Sequence, residues 1–326
     1  GAGFCDLALS AKGTNPFREL RSVRAFKAAY RRLRPSIALH YTIKPNIYGS
    51  LAARSLRIPV INNVSGLGTM FSGGPWETLA RLLYRFSFSR AQKVFFQNTD
   101  DRGLFLKASL VDPLRTELLP GSGVDTEHFA PRTKGDGPFT FLLAARLLID
   151  KGVEDFISAA RILRNGGDEP RFILLGRHDA TDPHCVDAAL LDEAVRDGIV
   201  EIPGHTDDVR HYIAEADCVV LPSYYREGVP RSLLEAASMG KPLIAADSVG
   251  TREPVQDGVN GFLCRPRDPA DLADKMRTVM EAGPERRASM GEASRCIAQE
   301  RFDERVVLAA YLKAIDHIAR HPGMPT

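Results

Sequence analysis

Two carboxylates, Glu227 and Glu235, stand eight residues apart with Gly228-Val-Pro-Arg-Ser-Leu-Leu234 between them. Pro230 suits the first position of a helix. Leu233, Leu234, Ala236 and Ala237 supply its apolar face, and Met239-Gly240 stop it, with Pro242 just beyond. Apolar runs at 218–222 and 243–246 flank this segment, so the order reads strand, loop, helix, strand. In such units the loop and helix start lie at the carboxyl edge of a parallel sheet, where ligands bind. Free N–H groups there attract phosphate. A carboxylate in the same loop repels phosphate but accepts hydrogen bonds from sugar hydroxyls. The pattern suits a ligand that is part phosphate and part polyol.

Other polar residues fall at similar strand ends. The strand expected at 139–143 runs into Arg146 and Lys151. An Arg that binds bidentately and a Lys acting as a point charge can clamp two phosphates; salt bridges on a solvated loop account for the pair equally well. The strand expected at 171–175 runs into Gly176-Arg177-His178, where Gly176 permits close backbone approach or serves a plain turn. His40 ends an apolar strand, and His205 follows Gly204. A strand-end His is either a proton carrier or a structural hydrogen-bonding group. No two His have metal-ligand spacing. Gly66-Leu-Gly68 and Gly121-Ser-Gly123 lack the third glycine of a dinucleotide fingerprint, and there is no P-loop. Hydride transfer and P-loop ATP hydrolysis therefore lose their sequence support.

The elements that carry these residues alternate. Strands are expected at 4–9, 36–41, 59–64, 93–97 and 117–119, and helices at 17–33, 45–56, 76–89 and 100–108. After a linker at 131–138, dense in Pro, Gly and charge, helices are expected at 153–164, 186–196, 207–215, 268–282 and 303–320, with a strand at 199–202. Such alternation argues for parallel α/β sheets, and 326 residues suffice for two domains. A glycine-rich loop at 65–74 is either a mobile flap over an acceptor or a long connection.

Composition is that of an ordinary globular chain, with 44% hydrophobic and 26% charged residues. No apolar run reaches the roughly 20 residues of a membrane span, and the first residues do not lead one to expect a signal peptide. The five cysteines form no CxxC pair, which argues against zinc or a disulfide framework and for a reducing cytosol. Charge is uneven: residues 1–130 carry 18 Lys/Arg against 9 Asp/Glu, while the whole chain is only +2. Nucleic acid, anionic lipid and diphosphates are all partners for such a half. The helix at 17–33 carries Arg18, Arg21, Arg24, Lys27, Arg31 and Arg32, either as an interfacial basic surface or as a solvated face over a core stripe.

Taken in order, Ala145-Arg146 through Lys151-Gly152, Pro203-Gly204-His205, Leu221-Pro-Ser223, Glu227…Glu235 and the run from Gly250 to Gly261 resemble glycosyltransferase family 4, of GT-B fold. Residues 41–49 and 64–68 resemble a narrower group, bacterial transferases that add a sugar such as N-acetylhexosamine to lipid-linked oligosaccharides. The resemblance implies two Rossmann-like domains facing across a cleft: 1–131 for the acceptor, 138–302 for the donor, and a helix at 303–326 packing back toward the first. It implies that Arg146 and Lys151 bind the donor diphosphate. Glu235 would hold the ribose and Glu227 would lie beside the donor sugar. Gly228, Val229 and Pro230 would meet sugar or phosphates through their backbone, with Gly176 and His205 completing the nucleotide site. Relatives carry His-x-His where this chain has His40-Tyr41-Thr42, so the assignment of His40 as catalytic rests on half a motif. They also begin with a strand, a glycine-rich turn and a helix with no counterpart here, so the first domain is expected to lack a βαβ unit.

The function implied is a retaining transfer, without metal or other cofactor, from a nucleotide-diphosphate sugar, UDP-N-acetylhexosamine being the leading donor. The acceptor would be a polyprenyl-diphosphate-linked saccharide at the cytoplasmic face of the membrane, on an anionic surface, in bacterial surface-glycan assembly. Nucleic acid has no part in it. Two other readings remain open from sequence: a transferase with a soluble acceptor, and a non-catalytic sugar-nucleotide-binding protein.

Overall fold

The computed structural model describes residues 3–7, 16–67, 75–167 and 169–321. Contacts divide the chain into two compact units, Gly1–Leu119 with Leu308–Thr326, and Pro120–Val307. The first holds α1 (Pro16–Leu33), β1 (Ala38–Tyr41), a π-helical turn (Pro45–Gly49), α2 (Ser50–Ser55), β2 (Val60–Val64), α3 (Pro75–Phe88), β3 (Lys93–Phe96), α4 (Thr99–Lys107) and β4 (Thr116–Leu118). The second holds β5 (Thr140–Ala144), α5 (Val153–Asn165), β6 (Arg171–Leu175), α6 (Ala188–Arg196), β7 (Glu201–Gly204), α7 (Arg210–Glu215) and β8 (Cys218–Leu221). It continues with α8 (Arg231–Ser238), β9 (Leu243–Ala246), β10 (Gly261–Cys264), α9 (Pro269–Glu281) and α10 (Gly283–Arg301). Helix α11 (Glu304–Arg320) starts in the second unit and belongs to the first from Leu308 on.

Each unit is built on one parallel sheet, β1-β2-β3-β4 in the first and β10-β9-β8-β5-β6-β7 in the second. Strands covered on both faces read as apolar runs, as β5, β8 and β9 do. Alternate residues then feed two cores. Phe141, Leu143, Phe172 and Leu174 pack with Phe156 and Ile157 of α5 and Met276 of α9. Leu142, Ile173, Val219 and Leu221 pack with Leu233 and Leu234 of α8 and Ile297 of α10. In the first unit Val94 and Phe96 of β3 meet Tyr84 and Phe88 of α3 and Phe105 of α4. Phe95, on the opposite face, lies 4.8 Å from the ring of Tyr311 in α11.

Several expectations change. Residues 4–7 form no strand, and Phe4 is exposed; 8–9 lie outside the described residues. The helix expected at 45–56 opens as a π-helical turn. The wider turn seats Gly49 under His40, where a Cβ would come within 2.6 Å of the imidazole Nε2. The units divide at Leu119/Pro120 and not at the Pro/Gly-rich segment 131–138. Val124 is bridged to Asp303, and Phe129 is buried in a core of the second unit, so the chain has joined that unit before the segment begins. Strand β10 and helix α10 were not expected. The buried face of α10 includes Met290, Gly291 and Ser294, and a face of small residues carries little hydrophobic periodicity. Of the flap expected at 65–74, residues 68–74 lie outside the described residues.

Candidate active site

Parallel strands bring their carboxyl ends to one edge. In the second unit β5, β6, β7 and β8 deliver there Ala145-Arg146, Gly176, His205 and the loop 222–230. Three of the expected residues line one cavity of about 370 Å³: Arg146, Gly176 and His205, together with Ala144, Ala145, Leu175, Arg177, Thr206 and Val209. Gly176 is required by close approach: a Cβ would lie 1.7 Å from the carbonyl oxygen of Ala145. Its N–H donates to the carbonyl of Gly204, which ties β6 to β7 at the cavity floor.

Lys151 and Glu227, 76 residues apart in sequence, form an ion pair. The Lys151 Nζ donates to Glu227 Oε1 at 2.7 Å and Oε2 at 2.6 Å, and both side chains are largely buried. The Ser223 hydroxyl lies 3.0 Å from the same carboxylate and 3.2 Å from the carbonyl of Asp150. That carbonyl also accepts from the N–H groups of Tyr224 and Tyr225. The loop bearing Glu227 is thus tied to the turn bearing Lys151. Gly152 (φ +74°) closes the approach, since a Cβ would lie 2.4 Å from the carbonyl oxygen of Pro222. Tyr225 joins the two parts of the site. Burial raises its pKa most, Asp150 and Glu227 add to that, and the Arg146 guanidinium opposes them.

Beyond Glu227, residues Gly228, Val229 and Pro230 are buried. Pro230 is the residue before the helix, with extended backbone (φ −66°, ψ 126°), and not the first helical residue as its type suggested. Pro230 offers no side-chain acceptor to cap α8, whose first N–H groups need another partner. Glu235 sits one turn further on, mostly buried, and accepts from Arg231 Nε at 3.3 Å. Burial raises its pKa, against the pull of Arg231. His205 is half exposed, 3.5 Å from Asp207.

His40 lies in the first unit, 3% exposed, with both ring nitrogens engaged. Nε2 accepts from the Tyr30 hydroxyl at 2.6 Å, and Nδ1 is 3.0 Å from Asn62 Oδ1 and 3.3 Å from Ser50 Oγ. Burial pushes its pKa down to about 4, the Asn62 bond opposing, so the ring is neutral at pH 7. Within the first unit the ring is packed and hydrogen-bonded as a neutral group. Sequence reading also gave no role to Ser223, Asp150, Tyr225 or Gly250. Ser223 and Gly250 stood inside recognised motifs; the Asp150 carbonyl leaves no sequence signal, because any residue carries one. Among the described residues, no cluster of three or more His, Cys, Asp or Glu is grouped to hold a metal ion.

Two units, each a parallel sheet with helices, fit the GT-B fold. A solved glycosyltransferase from Rickettsia africae superposes with a TM-score of 0.77 at 16% identity, covering 96% of this chain and 84% of that one. The family described as glycosyl transferases group 1 matches residues 124–296, and that described as glycosyl transferase 4-like matches residues 5–98. The chain belongs to the group 1 glycosyl transferases. It is 27% identical over 335 aligned positions to the Campylobacter jejuni N,N'-diacetylbacillosaminyl-diphospho-undecaprenol alpha-1,3-N-acetylgalactosaminyltransferase, covering 96% of this chain and 85% of the relative. It is 25% identical over 273 positions to the Escherichia coli UDP-Gal:alpha-D-GlcNAc-diphosphoundecaprenol alpha-1,3-galactosyltransferase, covering 77% and 68%.

Proposed function

We propose that this glycosyltransferase moves a sugar, with retention, from a UDP-sugar of the N-acetylhexosamine class to a polyprenyl-diphosphate-linked saccharide at the cytoplasmic face of a bacterial membrane. The observation that carries the reading is the sheet edge of the second unit, where Arg146 walls a cavity and Lys151 is held against Glu227 in the loop that leads into α8. A cavity of that size suits a nucleoside, and two cations with free N–H groups suit its diphosphate. Glu235, mostly buried and acceptor-only when ionised, suits ribose hydroxyls. Glu227 stands ready to receive hydroxyls of the donor sugar, while Lys151 turns toward the phosphate. As the sugar leaves, charge grows on the diphosphate, and Arg146 and Lys151 stabilise it. The departing β-phosphate takes the proton of the acceptor hydroxyl, so no protein base is needed. The lipid-linked acceptor is supported by the two relatives named above, and among the described residues no helix is long and apolar enough to cross a membrane.

The test is UDP release from a panel of UDP-sugars, with and without a short polyprenyl-diphosphate saccharide. Arg146→Ala and Lys151→Ala are each expected to lose roughly 10²–10³ in rate while keeping the circular dichroism of the parent. Activity is expected to persist in excess EDTA. Near-normal turnover in both variants, or activity that requires added Mg²⁺ or Mn²⁺, would overturn the assignment.

A further inference from the structure

Helix α3 carries two apolar faces where one suffices. Ala80, Tyr84 and Phe88 are buried in the first unit. On the opposite side Leu79, Leu82 and Phe86 stand 46%, 60% and 57% exposed. Their spacing of three and four keeps them on one stripe. Scattered exposed apolar residues need no explanation, but a continuous stripe does.

The surroundings of the stripe are basic. The Arg54 guanidinium lies 4.2 Å over the Phe86 ring and donates to the Phe86 carbonyl and to Ser89 Oγ. It lies against one face of the Phe86 ring, which nonetheless stays 57% exposed. Arg85 and Arg90 are exposed and have no carboxylate partner among the described residues. Helix α1, the basic helix singled out from sequence, differs: Arg21, Arg24, Arg31 and Arg32 are exposed, but its exposed leucines, Leu20 and Leu33, sit at opposite ends. Helix α11 also exposes Leu308 and Leu312, but its Arg305 is paired with Asp303; α3 joins three exposed apolar side chains to Arg85 and Arg90, which have no such partner among the described residues.

We propose that the α3 stripe is a membrane-contact surface, with Leu79, Leu82 and Phe86 seated among the acyl chains and Arg54, Arg85 and Arg90 against anionic headgroups. This is the chemistry of an interfacial helix, apolar on one side and arginine-rich at its flanks. A second copy of the chain fits less well. Three half-exposed side chains fall far short of the roughly 800 Å² per partner of a stable interface, and a self-contact would press unpaired arginines together. The proposal names where the membrane invoked under the function above is met, and in that respect rests on that reading.

Co-sedimentation with vesicles tests it, using the whole chain and mixtures of phosphatidylglycerol with phosphatidylethanolamine. Leu82→Ser/Phe86→Ser is expected to lose binding at least tenfold. Arg85→Gln/Arg90→Gln is expected to lose roughly fivefold per arginine at low salt and to retain little salt dependence. Replacing Arg21, Arg24, Arg31 and Arg32 with Gln should cost less than the α3 pair. All positions are exposed, and unchanged UDP binding checks that the fold survives. UDP release with a water-soluble acceptor is read in parallel, so loss of vesicle binding with that turnover intact separates this surface from the catalytic assignment. Unchanged vesicle binding in the α3 variants would overturn the proposal. So would binding that matches on neutral phosphatidylcholine, or a dimer in solution that these substitutions dissociate.

Discussion

Glu227 is held by neighbours of different kinds, among them the Lys151 ammonium and the Ser223 hydroxyl. The hydroxyl is fully buried and is also bonded to the Asp150 carbonyl, which fixes it in place. Ser223 is therefore a positioning residue, and Ser223→Ala should lower kcat by roughly tenfold or more, the worth of one hydrogen bond to a charged group. Its KM for the donor should stay near that of the parent. A rise in KM with kcat unchanged would show that Ser223 serves binding alone. Glu235 offers a second check. If it accepts from both ribose hydroxyls, Glu235→Gln should weaken UDP binding, each charge-assisted bond being worth roughly 1.5–3 kcal/mol. 2′-Deoxy-UDP should bind the parent poorly and lose little more in the variant. Because burial raises the Glu235 pKa, the carboxylate takes up its proton at a higher pH than an exposed glutamate. UDP affinity should accordingly begin to fall above the ordinary carboxylate range as pH drops, and the Gln variant should lack that fall. Equal affinity for ribo and deoxyribo forms would contradict the assignment.

At the scale of elements, the loop after β8 is clamped by backbone. Its Ser223 carbonyl accepts from Ser248 Oγ at 2.6 Å, and Gly250 (φ +83°) presses on the peptide that bears Glu227. A Cβ at Gly250 would lie 2.2 Å from the carbonyl oxygen of Glu227 and 2.4 Å from that of Gly228. Gly258 shares the left-handed backbone (φ +74°) but nothing lies within 4 Å of its Cβ position. Gly258→Ala should therefore cost only the backbone strain, about 1–2 kcal/mol, with turnover kept. Gly250→Ala should cost more in thermal unfolding and should also lose transfer, since the Glu227 peptide must move. Equal effects of the two substitutions on activity would show that the clamp does not set Glu227.

At the scale of the molecule, the two units carry different chemistry. The second holds the charged pocket; the first buries a neutral network of Tyr30, His40, Ser50 and Asn62. His40 makes the first unit sensitive to acid. Its pKa is near 6.5 unfolded and about 4 folded. Above pH 6.5 neither state binds the proton and the group leaves stability unchanged. Between 6.5 and about 4 the unfolded chain takes the proton first, so stability falls by about 3 kcal/mol in all. Below that its contribution is flat. Urea unfolding from pH 4 to 7 should show this slope in the parent, and His40→Asn should be flatter over the same window. Parallel pH profiles would place the acid sensitivity elsewhere.

Local pattern was enough to read the parallel α/β class, most of the strands and the helix bearing Glu235, because apolar runs and helix stops are written in neighbouring residues. The order of charged motifs was enough for the family. Beyond that, tertiary structure decided. Helix α10 escaped because its buried face is partly glycine and serine, which pack by closeness and not by hydrophobicity. The unit boundary moved to Leu119 because contacts such as that of Thr126 with Asp303, 177 residues away, leave no local trace. His40 read as a strand-end histidine with two possible roles, and only the fold showed its ring buried among Tyr30, Ser50 and Asn62. The pairing of Lys151 with Glu227 was likewise invisible: the sequence held both charges, and the parallel sheet brought two of its loops to one edge so that they meet.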